Sequence, residues 1–297
     1  MKDYIIRATA GNGSVPIFVA TTRTMVETAR SLHKTTAVAT AALGRLLTAA
    51  SMMGASLKND TDIITITLKG EGPIGGIVAT TDHMSRVKGY AYNPQIPHRN
   101  NALGKLDVGG ALGAGSLTVV KDLGLKQPVS GQIELISGEI AEDLTYYFAV
   151  SEQLPSSVAL GVLVDRDYSV KQAGGYIVQI MPNAQENIIT HLEHKLPKLP
   201  SVTTMLEAGK SPEEILSLLF EGFDLEIYEK IYPEFYCNCS AEKTRKVLLS
   251  IGQEELSLIL KEDRGANIHC HFCNKDYYFK EDDIRKMLSE ISDIGRA

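Results

Sequence analysis

The chain has 297 residues, 44% of them apolar, and a formal net charge of −6. That length and apolar share predict about two domains around a sizeable core and exclude a disordered or fibrous chain. The acidic balance, with a pI near 5.7, excludes an overall basic field that would draw the protein to nucleic acid or to an anionic membrane.

Residues 4–8 and 16–21 are short apolar or alternating runs on either side of Gly11-Asn12-Gly13-Ser14, which predicts a β-hairpin. From 25 to 57 the pattern turns Ala-rich and helical, with a break near 33–35. Ala39, Leu43, Leu46, Ala50 and Met53 share one face of the second helix, and its small residues predict close packing against a sheet. Residues 63–68 alternate apolar side chains with Thr, Gly70-Glu71-Gly72-Pro73 turns the chain, and 74–80 and 87–92 continue as strands. Further strands are predicted at 116–121, 132–136, 158–164 and 176–181, with a helix over 139–151; Gly174-Gly175 marks a bulge or a close approach. Strands and helices that alternate irregularly give an α+β class, so residues 1–183 are read as a mixed α+β core domain.

Residues 184–230 hold nine acidic and four basic side chains, with Pro197, Pro200 and Pro212 as breaks. Ser211-Pro212-Glu213-Glu214 is a helix start in which Ser caps, Pro fits the first turn and Glu214 completes a capping box. The stretch reads as a linker of short amphipathic helices whose apolar residues, among them Ile188, Leu192, Leu206, Ile215, Leu219 and Phe220, need a surface to lie on.

Residues 231–297 are the third predicted piece and carry all four cysteines, as Cys237-Asn238-Cys239 and, thirty residues later, Cys270-His271-Phe272-Cys273. Helices are expected at 240–249, 253–261 and 281–291, with a small ribbon over 268–273 and 277–279. Two close pairs of thiolates are what a tetrahedral Zn²⁺ site needs, with bonds of about 2.3 Å, and a closed set of four cysteines leaves no position for catalysis. Ten Lys and Arg against twelve Asp and Glu in this piece argue against a zinc module that grips phosphates. The spacing leaves two readings open. One is a zinc-ribbon staple; the other is a redox switch, because zinc-bound thiolates are the species that oxidants attack and each pair is close enough to close as a local disulfide. A third reading, a dithiol oxidoreductase, needs a nucleophilic Cys at a helix start, whereas Cys270 follows a strand-like run.

Other motifs are incomplete. Gly209-Lys210-Ser211 has Thr204 where a phosphate loop requires its first Gly, and Gly113-Ala114-Gly115 lacks the third Gly of a dinucleotide fingerprint. His191 and His194 have helical spacing but no third ligand, and read as surface residues. No catalytic constellation emerges, so an enzyme is not expected. The opening Met1-Lys2-Asp3-Tyr4 has no apolar signal core, and no apolar run approaches about 18 residues, so the expected compartment is the reducing cytoplasm. There, four cysteines mean metal binding or redox sensing, not a permanent disulfide framework.

Phe235-Tyr236-Cys237-Asn238-Cys239-Ser240 and Cys270-His271-Phe272-Cys273, followed by Tyr277-Tyr278-Phe279, resemble the C-terminal switch of the heat-shock protein 33 family, the redox-regulated bacterial holdase chaperones. Upstream, Gly115-Ser116-Leu117-Thr118-Val119, the stretch from Ser137-Gly138-Glu139 to Tyr147-Phe148, Ser151-Glu152-Gln153-Leu154-Pro155 and Ala173-Gly174-Gly175-Tyr176 are similar to that family's core. The resemblance implies an ATP-independent chaperone that is inactive when reduced and holds one Zn²⁺ on Cys237, Cys239, Cys270 and Cys273. It further implies that oxidants release the metal and join Cys237 to Cys239 and Cys270 to Cys273. The switch and linker then unfold, and apolar surface captures unfolding client proteins, with residues 1–183 serving client binding and dimerisation. Neither nucleic acid nor a membrane is an expected partner. His269 and His271, when charged, would lower a neighbouring thiol pKa, which would make the Cys270 and Cys273 pair the first to oxidise.

Overall fold

Gly11, Asn12 and Gly13 all take positive φ (59°, 54° and 84°), a conformation that Gly and Asn tolerate, and this turn folds β1 (Tyr4–Ala10) back on β2 (Val15–Thr21). In the computed structural model, which describes residues 2–294, the hairpin is the centre of an antiparallel sheet. Its neighbours are β8 (Ser156–Val164) and β9 (Val170–Gln179) on one side and β10 (Leu225–Ile231) on the other, in the order β10-β1-β2-β9-β8. A second sheet contains β3 (Ile63–Gly70), β4 (Gly76–Asp82), β5 (Arg86–Ala91), β6 (Gly115–Asp122), β7 (Val129–Glu134) and the two-residue β11 (Glu234–Phe235), in the order β11-β5-β4-β3-β6-β7. Only β11 runs parallel to its neighbour.

Between the sheets lie α1 (Arg23–His33) and α2 (Ala37–Gly54), with α4 (Ala141–Ser151) beside them and the short α3 (Val108–Leu112) at the edge. The sequence puts one face of α2 against a sheet; in fact every residue of it but Arg45 is buried, because a sheet covers it on both sides. Eight Ala and Gly residues among its 18 make that double contact possible. By length and mean hydropathy (1.3) α2 passes for a membrane span, yet 94% of that window is buried inside the protein. Gly174 and Gly175 sit in mid-strand on β9, where a Cβ would come within 2.4 Å of the Ala20 carbonyl oxygen and 2.6 Å of that of Ala159. They are places of close approach, not a bulge.

The motif around Ser137 also has a physical reason. Buried Asp143 accepts hydrogen bonds from the backbone N–H groups of Ile136 (2.7 Å), Ser137 (3.1 Å), Gly138 (3.3 Å) and Ile140 (2.8 Å), and so holds the loop before α4 with Ile140 at a φ of 72°.

The stretch expected as an amphipathic linker forms α5 (Glu186–Lys195), α6 (Val202–Glu207) and α7 (Pro212–Leu219), the last with the capping box between Ser211 and Glu214. These helices lie on the outer face of the five-stranded sheet. Ile188, Leu192, Leu206, Ile215, Leu219 and Phe220 pack there with Ile6, Ile17, Val19, Tyr176 and Val178, while Phe18, Ala20 and Ile177 of the same strands point to α2. Residues 225–230, expected within the helical linker, are instead part of the strand Leu225–Ile231, which pairs antiparallel with the free edge of β1. The smaller compact unit accordingly begins at Cys237 and not at 231, since β10 and β11 belong to the sheets of the larger one.

Within the smaller unit, α8 (Ala241–Ser250), α9 (Gln253–Glu262) and α10 (Glu281–Ile294) surround the hairpin of β12 (Gly265–Cys270) and β13 (Lys275–Lys280). Its core is slight: Leu248, Leu256, Phe279, Ile284 and Met287 are the buried apolar side chains of the cluster.

One ion-pair cluster clamps the linker to the sheet. The Tyr4 hydroxyl donates to Glu213 at 2.6 Å and the Lys230 ammonium lies 2.5 Å from the same carboxylate. Burial works to raise the Glu213 pKa, but Lys230 and Tyr4 hold it below the usual carboxylate range. A folded-state pKa below the unfolded value contributes stability that is present above the unfolded pKa and lost as pH falls through the folded one. Glu213→Gln is therefore expected to lower the urea midpoint at neutral pH, with the difference from the parent closing between about pH 5 and about pH 3. A gap that persists at low pH would show that the pair is not the cause.

Candidate metal centre

Two local folds deliver the sulfurs. Cys237, Asn238 and Cys239 form the irregular stretch before α8, and Ser240 caps that helix by accepting from the Lys243 N–H at 3.1 Å. Opposite them, β12 ends at Cys270 and β13 starts at Lys275. In the turn between, the N–H groups of Cys273 (3.3 Å) and Asn274 (2.8 Å) both donate to the Cys270 carbonyl, and Asn274 takes a φ of 60°.

All four Sγ atoms lie within 4.8 Å of one another. Cys237 and Cys270 are 3.8 Å apart and Cys239 and Cys273 3.2 Å apart. Four sulfurs at about 2.3 Å from a common centre stand about 3.8 Å from each other, so the spacing fits one ion held by four thiolates. This is the group of His, Cys, Asp or Glu residues that can hold a metal ion among the described residues. His191 and His194 do not join it. The His191 Nε2 is 3.1 Å from the Leu219 carbonyl oxygen and the ring meets Phe223 edge-on at 4.8 Å, a packing role between α5 and the end of α7.

The thiols are not equivalent. Burial works against the Cys239 thiolate, but the Tyr277 hydroxyl, donating at 3.0 Å, and the neighbouring thiols bring its pKa down to about 7. Burial pushes the Cys237 and Cys273 thiols up. The Cys239 proton thus leaves near neutrality while those of Cys237 and Cys273 are held until a cation enters, so metal uptake is coupled to proton release. The lowered thiol belongs to the first pair, not to the pair beside the histidines. His269 turns its Nδ1 to Asp276 at 3.0 Å and packs edge-on with His271, ring centres 5.2 Å apart. Tyr277 is the site residue that sequence reasoning passed over. It lies in the ribbon flanking the second pair, where its place in the Tyr277-Tyr278-Phe279 motif and its alternation with Phe279 on β13 were the available signals.

The family model described as Hsp33 protein matches residues 3–280. The chain belongs to the Hsp33 family. It is 52% identical over 292 residues to the 33 kDa chaperonin of Clostridioides difficile (strain 630), covering 98% of this chain and 100% of that one. To the 33 kDa chaperonin of Agathobacter rectalis it is 51% identical over 287 residues, covering 97% and 100%. The crystal structure of the 33 kDa chaperonin, a heat shock protein 33 homolog, from Thermotoga maritima superimposes with a TM-score of 0.90 at 36% identity, over 99% of this chain and 100% of that one. Membership in the Hsp33 family and the names of these relatives support a chaperone role.

Reduced protein is expected to take up one Co²⁺ per chain with the visible absorption of a tetrahedral thiolate site, and Cys237→Ser to lose that spectrum. Tyr277→Phe should keep the stoichiometry and weaken affinity about tenfold, the usual effect of removing a donor to a ligand atom. An unchanged spectrum in Cys237→Ser would show that the four sulfurs do not act together.

Proposed function

We propose that this chain is a redox-regulated, ATP-independent holdase of the cytoplasm, inactive while Cys237, Cys239, Cys270 and Cys273 hold one Zn²⁺ and active once they are oxidised. The observation that carries this reading is a four-sulfur cluster in a unit whose core is five buried apolar side chains. A bound Zn²⁺ supplies structural cross-linking and no catalysis. A segment of this size seldom gains more than about 3–5 kcal/mol from its core, whereas structural zinc in peptide hosts is worth roughly 10–16 kcal/mol.

Oxidation removes the ligand set. Each pair of zinc-bound thiolates gives two electrons to one peroxide, which takes two protons from solvent and leaves as two waters, forming one S–S bond and releasing the ion; the resemblance assigns the pairs as Cys237 with Cys239 and Cys270 with Cys273. Without its ligands the smaller unit loses its cross-link and unfolds. The chain leaves the larger unit at Tyr236, directly after β11, so unfolding of the smaller unit frees the chain from Cys237 onward. Helices shorter than about 12–15 residues are unstable alone. Once α5, α6 and α7 lift, Ile6, Ile17, Val19 and Val178 become an apolar face for unfolding clients, and the active form works as a homodimer.

The test is light scattering from a heat-unfolding client, with the protein added either reduced and zinc-loaded or after warm peroxide treatment, and with zinc release read in the same samples. Only the oxidised, zinc-free protein is expected to suppress scattering. Equal behaviour of both forms with the metal retained would make the site a structural staple.

A further inference from the structure

The strand β8 is the last of its sheet, hydrogen-bonded to β9 alone, and residues 160–166 run consecutively along a cleft of about 730 Å³ in the larger unit. On an antiparallel edge strand, alternate backbone groups face away from the partner strand. The Val158 N–H fixes the phase here, for it donates to Thr145 Oγ1 of α4 at 3.2 Å. By the same alternation the N–H groups of Leu160 and Val162 turn away from β9. No partner for either is present among the described residues.

Two layers wall this edge. On the α2 side a Cβ at Gly44 would come within 2.9 Å of Val162 Cγ2, and on the α6 side a Cβ at Gly161 would come within 2.7 Å of Thr203 Cγ2. The cleft along this edge is lined by α2 (Ala37, Arg45) on one face and by α6 (Thr203, Thr204, Glu207) on the other, so an added chain would lie between two helix layers. The rim carries an excess of one unpaired positive charge, Lys105 and Arg166 against Asp165. Exposed Lys105 and Arg166 have no ion pair among the described residues, whereas Arg45 is engaged with Glu139, and Glu207 with Lys171. The remaining acid, Asp165, accepts from the Arg166 backbone N–H.

We propose that the β8 edge takes up an extended acidic polypeptide segment as an added strand, its backbone pairing with Leu160 and Val162 and its carboxylates meeting Lys105 and Arg166. Strand addition of this kind draws affinity from main-chain hydrogen bonds and selectivity from the walls. An open edge is otherwise a hazard that folds cover or charge. The site lies wholly in the larger unit and needs no change at the cysteines, so it goes beyond the redox reading and stands or falls separately from it.

The experiment is fluorescence polarisation of a labelled seven-residue peptide of alternating Val and Glu, titrated with the full-length reduced, zinc-loaded protein. Saturable binding is expected. Leu160→Pro removes an N–H that β9 does not use and should weaken binding at least tenfold. The double variant Lys105→Glu, Arg166→Glu, altered only at exposed positions, should weaken the Val/Glu peptide about tenfold and favour a Val/Lys peptide. Absence of saturable binding, or binding indifferent to the charge reversal, overturns the proposal. Loss of dimer in Leu160→Pro by sedimentation, without peptide binding to the parent, would also overturn it by assigning the edge to a second copy. None of these outcomes touches the scattering test of the redox reading.

Discussion

Four sulfurs within 4.8 Å of one another are the constraint on which the smaller unit depends. As thiolates without a cation they would repel one another at this spacing, and as neutral thiols they would contribute little beyond a weak hydrophobic contact. The apolar cluster beneath them, built on Leu248, Leu256, Phe279, Ile284 and Met287, is too small to hold three helices and a hairpin by itself. A cation held by the four cysteines would add the cross-link that this small core lacks.

The larger unit is built on the opposite plan. Its five-stranded sheet is buried on both faces, by α2 on one side and by α5, α6 and α7 on the other. The two covers differ in strength. α2 is 18 residues long, continuous and buried all round but for Arg45, while the outer cover is three short helices held by one apolar cluster, by the polar clamp of Tyr4, Glu213 and Lys230 and by the ion pair of Glu207 with Lys171. Lifting the outer cover leaves the core between the two sheets intact, which is the arrangement required of a surface that is to open without loss of the scaffold.

Most of the fold was legible where local chemistry decides it. The Gly-rich turn of the first hairpin, the break between α1 and α2, the capping box at Ser211 and the Ser240 cap all follow from side chains within a few residues. Elements decided by distant partners were not. α3 is five residues with two glycines and has no periodicity to read, and it forms where Asp107 caps the Gly110 N–H. β10 looks like the charged end of a helical linker and becomes a strand only because β1 offers a free edge. That the four cysteines gather could be read from their spacing, since cysteine pairs leave few alternatives. The Tyr277 contact could not, because a phenol two positions from an apolar strand residue gives no hint of its partner.

The four sulfurs come from one chain and from one unit of it, separated by a thirty-residue loop. Closing a loop of that length costs about 3 kcal/mol of chain entropy, with no contribution from a second molecule. The pairs thus meet at an effective concentration fixed by the loop and not by how much protein is present. Bringing the two pairs together is then first order in this chain, while uptake of an ion still depends on that ion's concentration. A dilute and a crowded population of this chain gather their four sulfurs at the same rate.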